Sequence, residues 1–233
     1  MTVARVFMGW DRREVLAYRV AERSLRRRAS CPVVVTPLKL ERNEHWGLIK
    51  RPRELREGRL WDAISEAPMS TEFAISRFLV PMLGQDGWVL FCDCDVVFLE
   101  DVAELFALAD ERFAVMCVKH DYQPAEAVKM DGQAQLAYKR KNWSSVMLFN
   151  CGHAGNARLT YTAVNKLPGR NLHGFCWLAD HEIGELPPAW NWLVGVQPKP
   201  PAPRLAHFTL GGPWFEDWPG AEHDEIWTSE ASA

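Results

Sequence analysis

The chain has 233 residues, 48% hydrophobic and 24% charged, which suits one globular domain with a single core and excludes disordered or collagen-like chains. A formal net charge of −3 argues against a nucleic-acid partner, because gripping phosphates needs a basic surface. No signal-like stretch follows Met1 and no apolar run reaches spanning length, so the sequence predicts a cytoplasmic protein with no transmembrane segment.

Ala4 to Gly9 reads as the first strand, ended by a glycine that would let backbone approach a ligand. Asp11 is placed to cap the next helix. Leu16, Ala17, Val20, Ala21, Ser24 and Leu25 share its apolar face, and the basic run Arg23 to Arg28 falls on the solvated side. Pro32 to Val35 is a second strand, and strand, helix, strand opens a parallel α/β sheet. Residues 39 to 70 are charged and lack a clear period, so they read as irregular with short helices. Ser70 is expected to cap a helix from about Thr71 to Leu83, with Phe73, Ala74, Phe78, Leu79 and Met82 inward and Arg77 to one side. Pro81 would end or kink it.

Trp88 to Leu99 is the most informative stretch. Two short apolar runs, Trp88 to Phe91 and Val96 to Leu99, enclose Asp93-Cys94-Asp95. Such runs read as buried strand. Asp is poor in strands and cores, and bare carboxylates there are costly unless paired, hydrogen-bonded or bound to metal. Ligands bind at the carboxyl ends of strands in open α/β sheets, and two oxygen ligands two residues apart suit Mg²⁺ or Mn²⁺. A turn-and-cap role is the plainer alternative. Asp101 already serves as N-cap for Val102 to Ala109, with Glu104 placed for a capping box, which leaves Asp93 and Asp95 for metal.

Phe113 to Val118 reads as another strand. A polar stretch follows from Lys119 to Asn142, including His120, Asp121, Lys129, Lys139, Arg140 and Lys141; loops this long are usually functional or mobile. Ser145 to Asn150 is strand, with helices near 157–167 and 171–178. Gln197 to Pro203 cannot be helix and is an extended connector. It leads into Leu205 to Trp214, a short strand running through His207 to the Gly211-Gly212 turn, where backbone N–H groups can face a phosphate. The acidic tail after about Trp218 is expected to fray. Six cysteines form no C-x-x-C pair, which suits reduced thiols. Most of the 11 Trp should be core, though an excess also suits a sugar-binding surface.

In this order, Gly9, Arg77, Asp93-x-Asp95, Val146 to Asn150, Asp180-His181-Glu182 and His207 with Gly211-Gly212-Pro213-Trp214 resemble a nucleotide-sugar glycosyltransferase of the GT-A fold. The set is most similar to the retaining family 8 enzymes, the glycogenin-like and lipopolysaccharide galactosyltransferase-like group, and spans roughly Val6 to Trp214. The resemblance implies a single-domain, Rossmann-like, mostly parallel α/β sheet flanked by helices. It implies Mn²⁺ (or Mg²⁺) on Asp93, Asp95 and His207. It implies a nucleotide-sugar donor, uridine-based, contacting Gly9, Trp10, Asp11, Arg77, Asp93, Gly211 and Gly212. Asp180 and His181 would take the catalytic place near the transferred sugar, and the acceptor would be a glycan or other hydroxyl. Two departures stand out. The segment after His207 is one residue short and has no Lys near Pro213, so a diphosphate contact is missing or supplied elsewhere. His181 stands where the family has Gln. Two rivals remain: a haloacid dehalogenase-type phosphatase with Asp93 as nucleophile, a pattern that normally opens the chain, and a non-catalytic carbohydrate-binding protein.

Overall fold

The computed structural model describes residues 3–121 and 140–233; Lys129 and Lys139 of the polar stretch lie outside them. The first strand, β1 (Ala4–Gly9), leads to helix α1 (Val15–Arg28) and to β2 (Val33–Leu38). Helix α2 (Leu40–His45) precedes three short strands, β3 (Arg53–Arg56), β4 (Arg59–Asp62) and β5 (Ala67–Pro68). Helix α3 (Val80–Gly84), β6 (Trp88–Cys92), β7 (Val96–Phe98), α4 (Val102–Phe106), β8 (Val115–Cys117) and β9 (Val146–Asn150) follow. The second half continues with α5 (Tyr161–Lys166), α6 (Gly169–His173), β10 (Ile183–Glu185), β11 (Trp192–Leu193), β12 (Leu205–His207) and α7 (Asp224–Ser232).

The main sheet has six strands in the order β10-β8-β9-β6-β1-β2. Five of them run the same way, and β9 runs against β6 and β8. The central strands are buried throughout: every residue of β8 and β9, and all of β6 except Trp88. That explains their unbroken apolar runs, since both faces are covered. β2 is an edge strand, which is why Pro37 can sit inside it without costing a ladder bond. A second sheet, β11-β12-β7, and a third, β3-β4-β5, complete the architecture. No helix of the described residues is long and apolar enough to cross a membrane.

Several expectations are corrected. The region 39–70 carries a three-stranded antiparallel meander that the charge pattern hid, because β3 is exposed at every residue. Glu57 and Gly58, with φ of 50° and 75°, form its tight turn, and Glu-Gly between flanking strands was the available hairpin signal. Asp11 does not cap α1; Glu14 holds that position without a side-chain bond. Leu16 faces solvent, while Tyr18 joins the buried face. The helix expected over 71–83 is a turn, a short 3₁₀ stretch over Ser76–Leu79, and α3. Pro81 lies in the first turn of α3, where its missing N–H costs nothing. Asp101 caps α4 by accepting from the Ala103 N–H at 2.9 Å, but Glu104 pairs with Arg204 and closes no capping box. The tail is ordered. Helix α7 buries Trp227 and sets Glu230 against Arg27 and Arg28 at the end of α1.

The meander is fixed at its base by one buried group of polar side chains. Arg51 donates through Nε to Asp62 Oδ1 at 2.9 Å and through Nη1 to the Val164 and Leu167 carbonyls at 2.8 Å each. Asp62 also accepts from the Ser65 N–H, and the Ser65 oxygen accepts from the Gly169 N–H at 2.7 Å. Burial alone would raise the Asp62 pKa, but the bonds from Arg51 and Ser65 together outweigh it and hold the group below its ordinary 3.8. The stability this contributes is complete above about pH 3.8 and is lost as pH falls through the lowered native value. Arg51→Met should therefore destabilise the protein by about 3–5 kcal/mol at pH 7 in urea unfolding, because it strands a buried carboxylate. The gap between variant and wild type should narrow in acid.

Candidate functional site

The carboxyl ends of β1, β2, β6, β8 and β10 share one edge of the main sheet, the edge where ligands bind in such sheets. At the end of β6 the chain changes sheets. β6 belongs to the main sheet, and β7 pairs antiparallel with β12 in the second, His207 opposite Val96. Asp93-Cys94-Asp95 is the crossing. Its backbone is pinned on both sides: the Asp93 N–H donates to Ser145 O at 2.9 Å, and Asp95 O accepts from the Phe208 N–H at 2.9 Å. Cys94 is fully buried, with its thiol on Glu14 Oε2 at 3.3 Å, while both Asp carboxylates face the cleft.

Each predicted ligand is held by a partner. Arg77, buried against the rings of Phe73 and Phe91, meets Asp93 Oδ1 at 2.8 Å and donates to Ser144 O at 2.8 Å. His207 is 1% exposed, and its Nε2 lies 3.4 Å from Asp95 Oδ1. One donor oxygen or nitrogen each from Asp93, Asp95 and His207 lie within 4.8 Å of one another. A hydrogen-bond relay decides which His207 nitrogen is available. Ser145 Oγ gives its only proton to Asn142 O at 2.7 Å, so it must accept from Asn191 Nδ2 at 2.9 Å. Asn191 Oδ1 therefore faces His207 Nδ1 at 3.0 Å as acceptor, and Nδ1 carries a proton. In the neutral imidazole, Nε2 is then the nitrogen with the lone pair, and it faces a carboxylate oxygen. Two facing acceptors are a fit for a cation, and two carboxylates with an imidazole suit Mn²⁺ or Mg²⁺.

These groups open onto a cleft of about 400 Å³. Its walls include Arg77, Asp93, Asp95, Ser144, Ser145 and Gly211 on the sheet side, and Asp62 and Ser65 to Thr71 from the meander and the turn after it, with Gly169, Arg170 and His173 opposite. His173 Nδ1 lies 2.6 Å from Ser144 Oγ, and burial, then the charges of Arg77 and Lys141, push its pKa well down. Burial, followed by the neighbouring His207, pushes His120 down to about 4. The Cys92 and Cys94 thiols are pushed well up, chiefly by burial, with Asp93 and Asp95 adding to it, which leaves them inert as nucleophiles.

Other predicted site residues are placed differently. Gly9 is needed by the protein itself, since a Cβ there would lie 2.4 Å from the Phe73 ring. Asp11 is fully buried, accepting from Arg13 and from the Glu72 N–H. Trp10 is half-buried beneath Lys39 and lies outside the cleft wall. Gly212 is pressed against Trp214, whereas Gly211, with φ of 114°, lines the cleft. Asp180 and His181 are exposed and lie just before β10, at the opposite edge of the sheet from Asp93; Asp180 pairs with Arg140, and neither lines the cleft. Asn191, Ser144, Ser145, Asn142 and His173 were not singled out from the sequence, and Lys141 only as one charged residue of the polar stretch. Only Asn191, between two tryptophans just before a short strand, carried a usable signal, as a polar residue in an apolar run.

The relay makes a specific expectation. Asn191→Leu should lower Mn²⁺ affinity about 10- to 100-fold, as loss of an outer hydrogen bond to a ligating imidazole does. Spin-resonance titration of free Mn²⁺ measures it, on protein that circular dichroism shows to be folded.

No known family profile matches the chain. It is 45% identical over 232 aligned positions to Protein CDI of Arabidopsis thaliana, covering 97% of this chain and 85% of that protein. Among solved structures, the glycosyltransferase GlyE of Streptococcus pneumoniae TIGR4 superposes with a TM-score of 0.62 at 14% identity over 99% of the chain, which spans 60% of GlyE. The galactosyltransferase LgtC superposes at 0.55 with 12% identity over 98% of this chain and 95% of its own, and mouse xyloside xylosyltransferase 1 at 0.54 with 14% identity over 91% and 100%. At these identities the likeness shows the fold, a GT-A-type α/β sheet flanked by helices. The acidic strand lies inside that sheet between β1 and β9 and does not open the chain, so the dehalogenase-type reading of Asp93 is set aside. The chain belongs to the same family as Protein CDI of Arabidopsis thaliana and carries it on a GT-A-type glycosyltransferase fold.

Proposed function

We propose that the chain is a metal-dependent glycosyltransferase that moves a sugar from a UDP-sugar to a hydroxyl acceptor with retention of configuration. The observation that carries this reading is the convergence of Asp93, Asp95 and His207 at the mouth of a cleft, on the sheet edge that binds ligands. The bond from the donor's C1 to the diphosphate oxygen breaks, the bond to the acceptor oxygen forms, and the acceptor proton is released. A bound divalent ion would supply Lewis acidity to the departing diphosphate. The chain's own residues pre-organise the site. Arg77 holds the Asp93 carboxylate in place, Asn191 turns His207 Nε2 inward, and Gly211 brings backbone to the cleft. The meander and α6 form the wall facing the acceptor. The tryptophans favour this reading over a carbohydrate-binding surface: Trp177, Trp190, Trp192, Trp214 and Trp227 are all buried.

UDP at 100 times its dissociation constant, with Mn²⁺, should add about 2.7 kcal/mol to stability in a thermal-shift screen of nucleoside diphosphates and nucleotide sugars. No stabilisation by any of them would remove the proposal, and equal stabilisation by all would remove base recognition. Asp95→Ala should lower the transfer rate roughly a thousandfold or more while the protein stays folded, and EDTA should do the same reversibly; full activity in EDTA would refute the metal. A β linkage in the first product, read by NMR, would remove retention and leave the rest.

A further inference from the structure

Among the described residues, five carboxylates line the cleft: Glu14, Asp62, Glu66, Asp93 and Asp95. Four of them have partners. Asp93 meets Arg77, Asp95 faces His207, Glu14 accepts from the Cys94 thiol, and Asp62 accepts from Arg51 and Ser65. Glu66 is the fifth. It is exposed, and among the described residues no group pairs with its carboxylate. Arg170 is its counterpart of opposite charge. It lines the cleft from α6, is exposed, and its guanidinium pairs with no described residue.

The fold sets these two side by side. Ser65 Oγ accepts from the Gly169 N–H at 2.7 Å, and Glu66 and Arg170 are the next residue on each side of that bond. An acid and a base thus flank one joint between the meander and α6, both on the cleft wall and not paired with each other. Glu66 also occupies a costly backbone position. Its φ is 49°, in the left-handed region that residues with a β-carbon rarely adopt. Its neighbours impose this: Ser65 is tied to Asp62 and Gly169, and Ala67 pairs with Asp62 across the meander. Glycine would fill the turn without strain, so a carboxylate is kept here at a cost in stability, as happens at functional sites. Ala67, Pro68 and Met69, all half-buried, continue the wall with apolar surface.

We infer that Glu66 and Arg170 clamp the acceptor, and that this acceptor is a sugar presenting two neighbouring hydroxyls, an inference that rests on the reading as a nucleotide-sugar transferase. A hydroxyl both donates and accepts. One acceptor hydroxyl donates to the Glu66 carboxylate and its neighbour accepts from Arg170, each bond assisted by charge. The C–H face of the ring lies against Ala67, Pro68 and Met69, which removes apolar surface from water. The clamp holds hydroxyls that do not react, and it takes no proton.

The test measures UDP release by the full chain with Mn²⁺ and the UDP-sugar that stabilises it most. Methyl hexosides serve as sugar acceptors and a serine-containing peptide as the non-sugar one. Glu66→Gln and Arg170→Gln should each raise the KM of the sugar acceptor about 10- to 100-fold, the range for a hydrogen bond to a charged group. The dissociation constant of UDP, by calorimetry, should stay that of wild type. Glu66→Gly should show the same loss with a ligand-free melting temperature at or above wild type, which separates the effect from folding. Wild-type acceptor KM in either Gln variant, weaker UDP binding in either, or a lowered melting temperature in Glu66→Gly would overturn the clamp and leave the proposed function standing. So would a wild type that binds UDP but transfers only to the peptide, or to none of these acceptors. A wild type that binds no nucleoside diphosphate would overturn both.

Discussion

The chain crosses from one sheet to another between Cys92 and Val96, and the geometry of the site depends on that crossing. β6 and β7 are fixed in different sheets by buried apolar side chains, from Val89 to Cys92 and from Val96 to Phe98. The three residues between them have little freedom, because bonds to Ser145 and Phe208 tie the backbone at each end. Two carboxylates are therefore held close together whether or not a cation is present. That arrangement is unfavourable by itself and persists because the surrounding core over-determines it. The same crossing brings β12 alongside, so His207 reaches Asp95 from a segment more than a hundred residues later.

Around this crossing the polar groups are arranged by their bonding capacity. Each of Ser145, Asn191 and His207 has its donor and acceptor roles set by the one before it, starting from a carbonyl that can only accept. A buried network that is satisfied in a single sense orients a side chain more firmly than packing alone. The tryptophan excess has a separate use. Trp192, Trp214 and Trp227 join Phe208 and the α1 side chains Ala17 and Val20 in a second apolar cluster against β7 and β12, which backs the strand that carries His207.

The legible parts of the sequence were those where one residue type has few reasons to be present. Asp93 and Asp95 inside an apolar run pointed to a cation site, the resemblance added His207, and the structure brings the three together from two places in the chain. The buried strands were legible as unbroken apolar runs. What escaped was set by contacts distant in sequence. β3 has no buried residue to betray it. Gly9 was read as room for a ligand, but the space is taken by Phe73. Asp11 looked like a residue facing a nucleotide, but it is buried and closes a turn against Arg13 and Glu72. Asp180-His181-Glu182 matched a motif in order and spacing, and the structure leaves Asp180 and His181 exposed and off the cleft wall. Asn191 matters through neighbours that only the fold supplies.

The ionic clamp of Arg51 and Asp62 at the root of the meander has a mechanical meaning. A hairpin bonded at its base to the end of α5 and the start of α6 behaves as a cantilever. Its tip, at Glu57 and Gly58 beside the solvent-facing Leu55, can lengthen, shorten or change composition without altering the width of the cleft at its root. Recognition of whatever lies beyond the cleft mouth is thereby uncoupled from the spacing of the groups within it, so the outer end of this wall can diversify while the inner end stays constant.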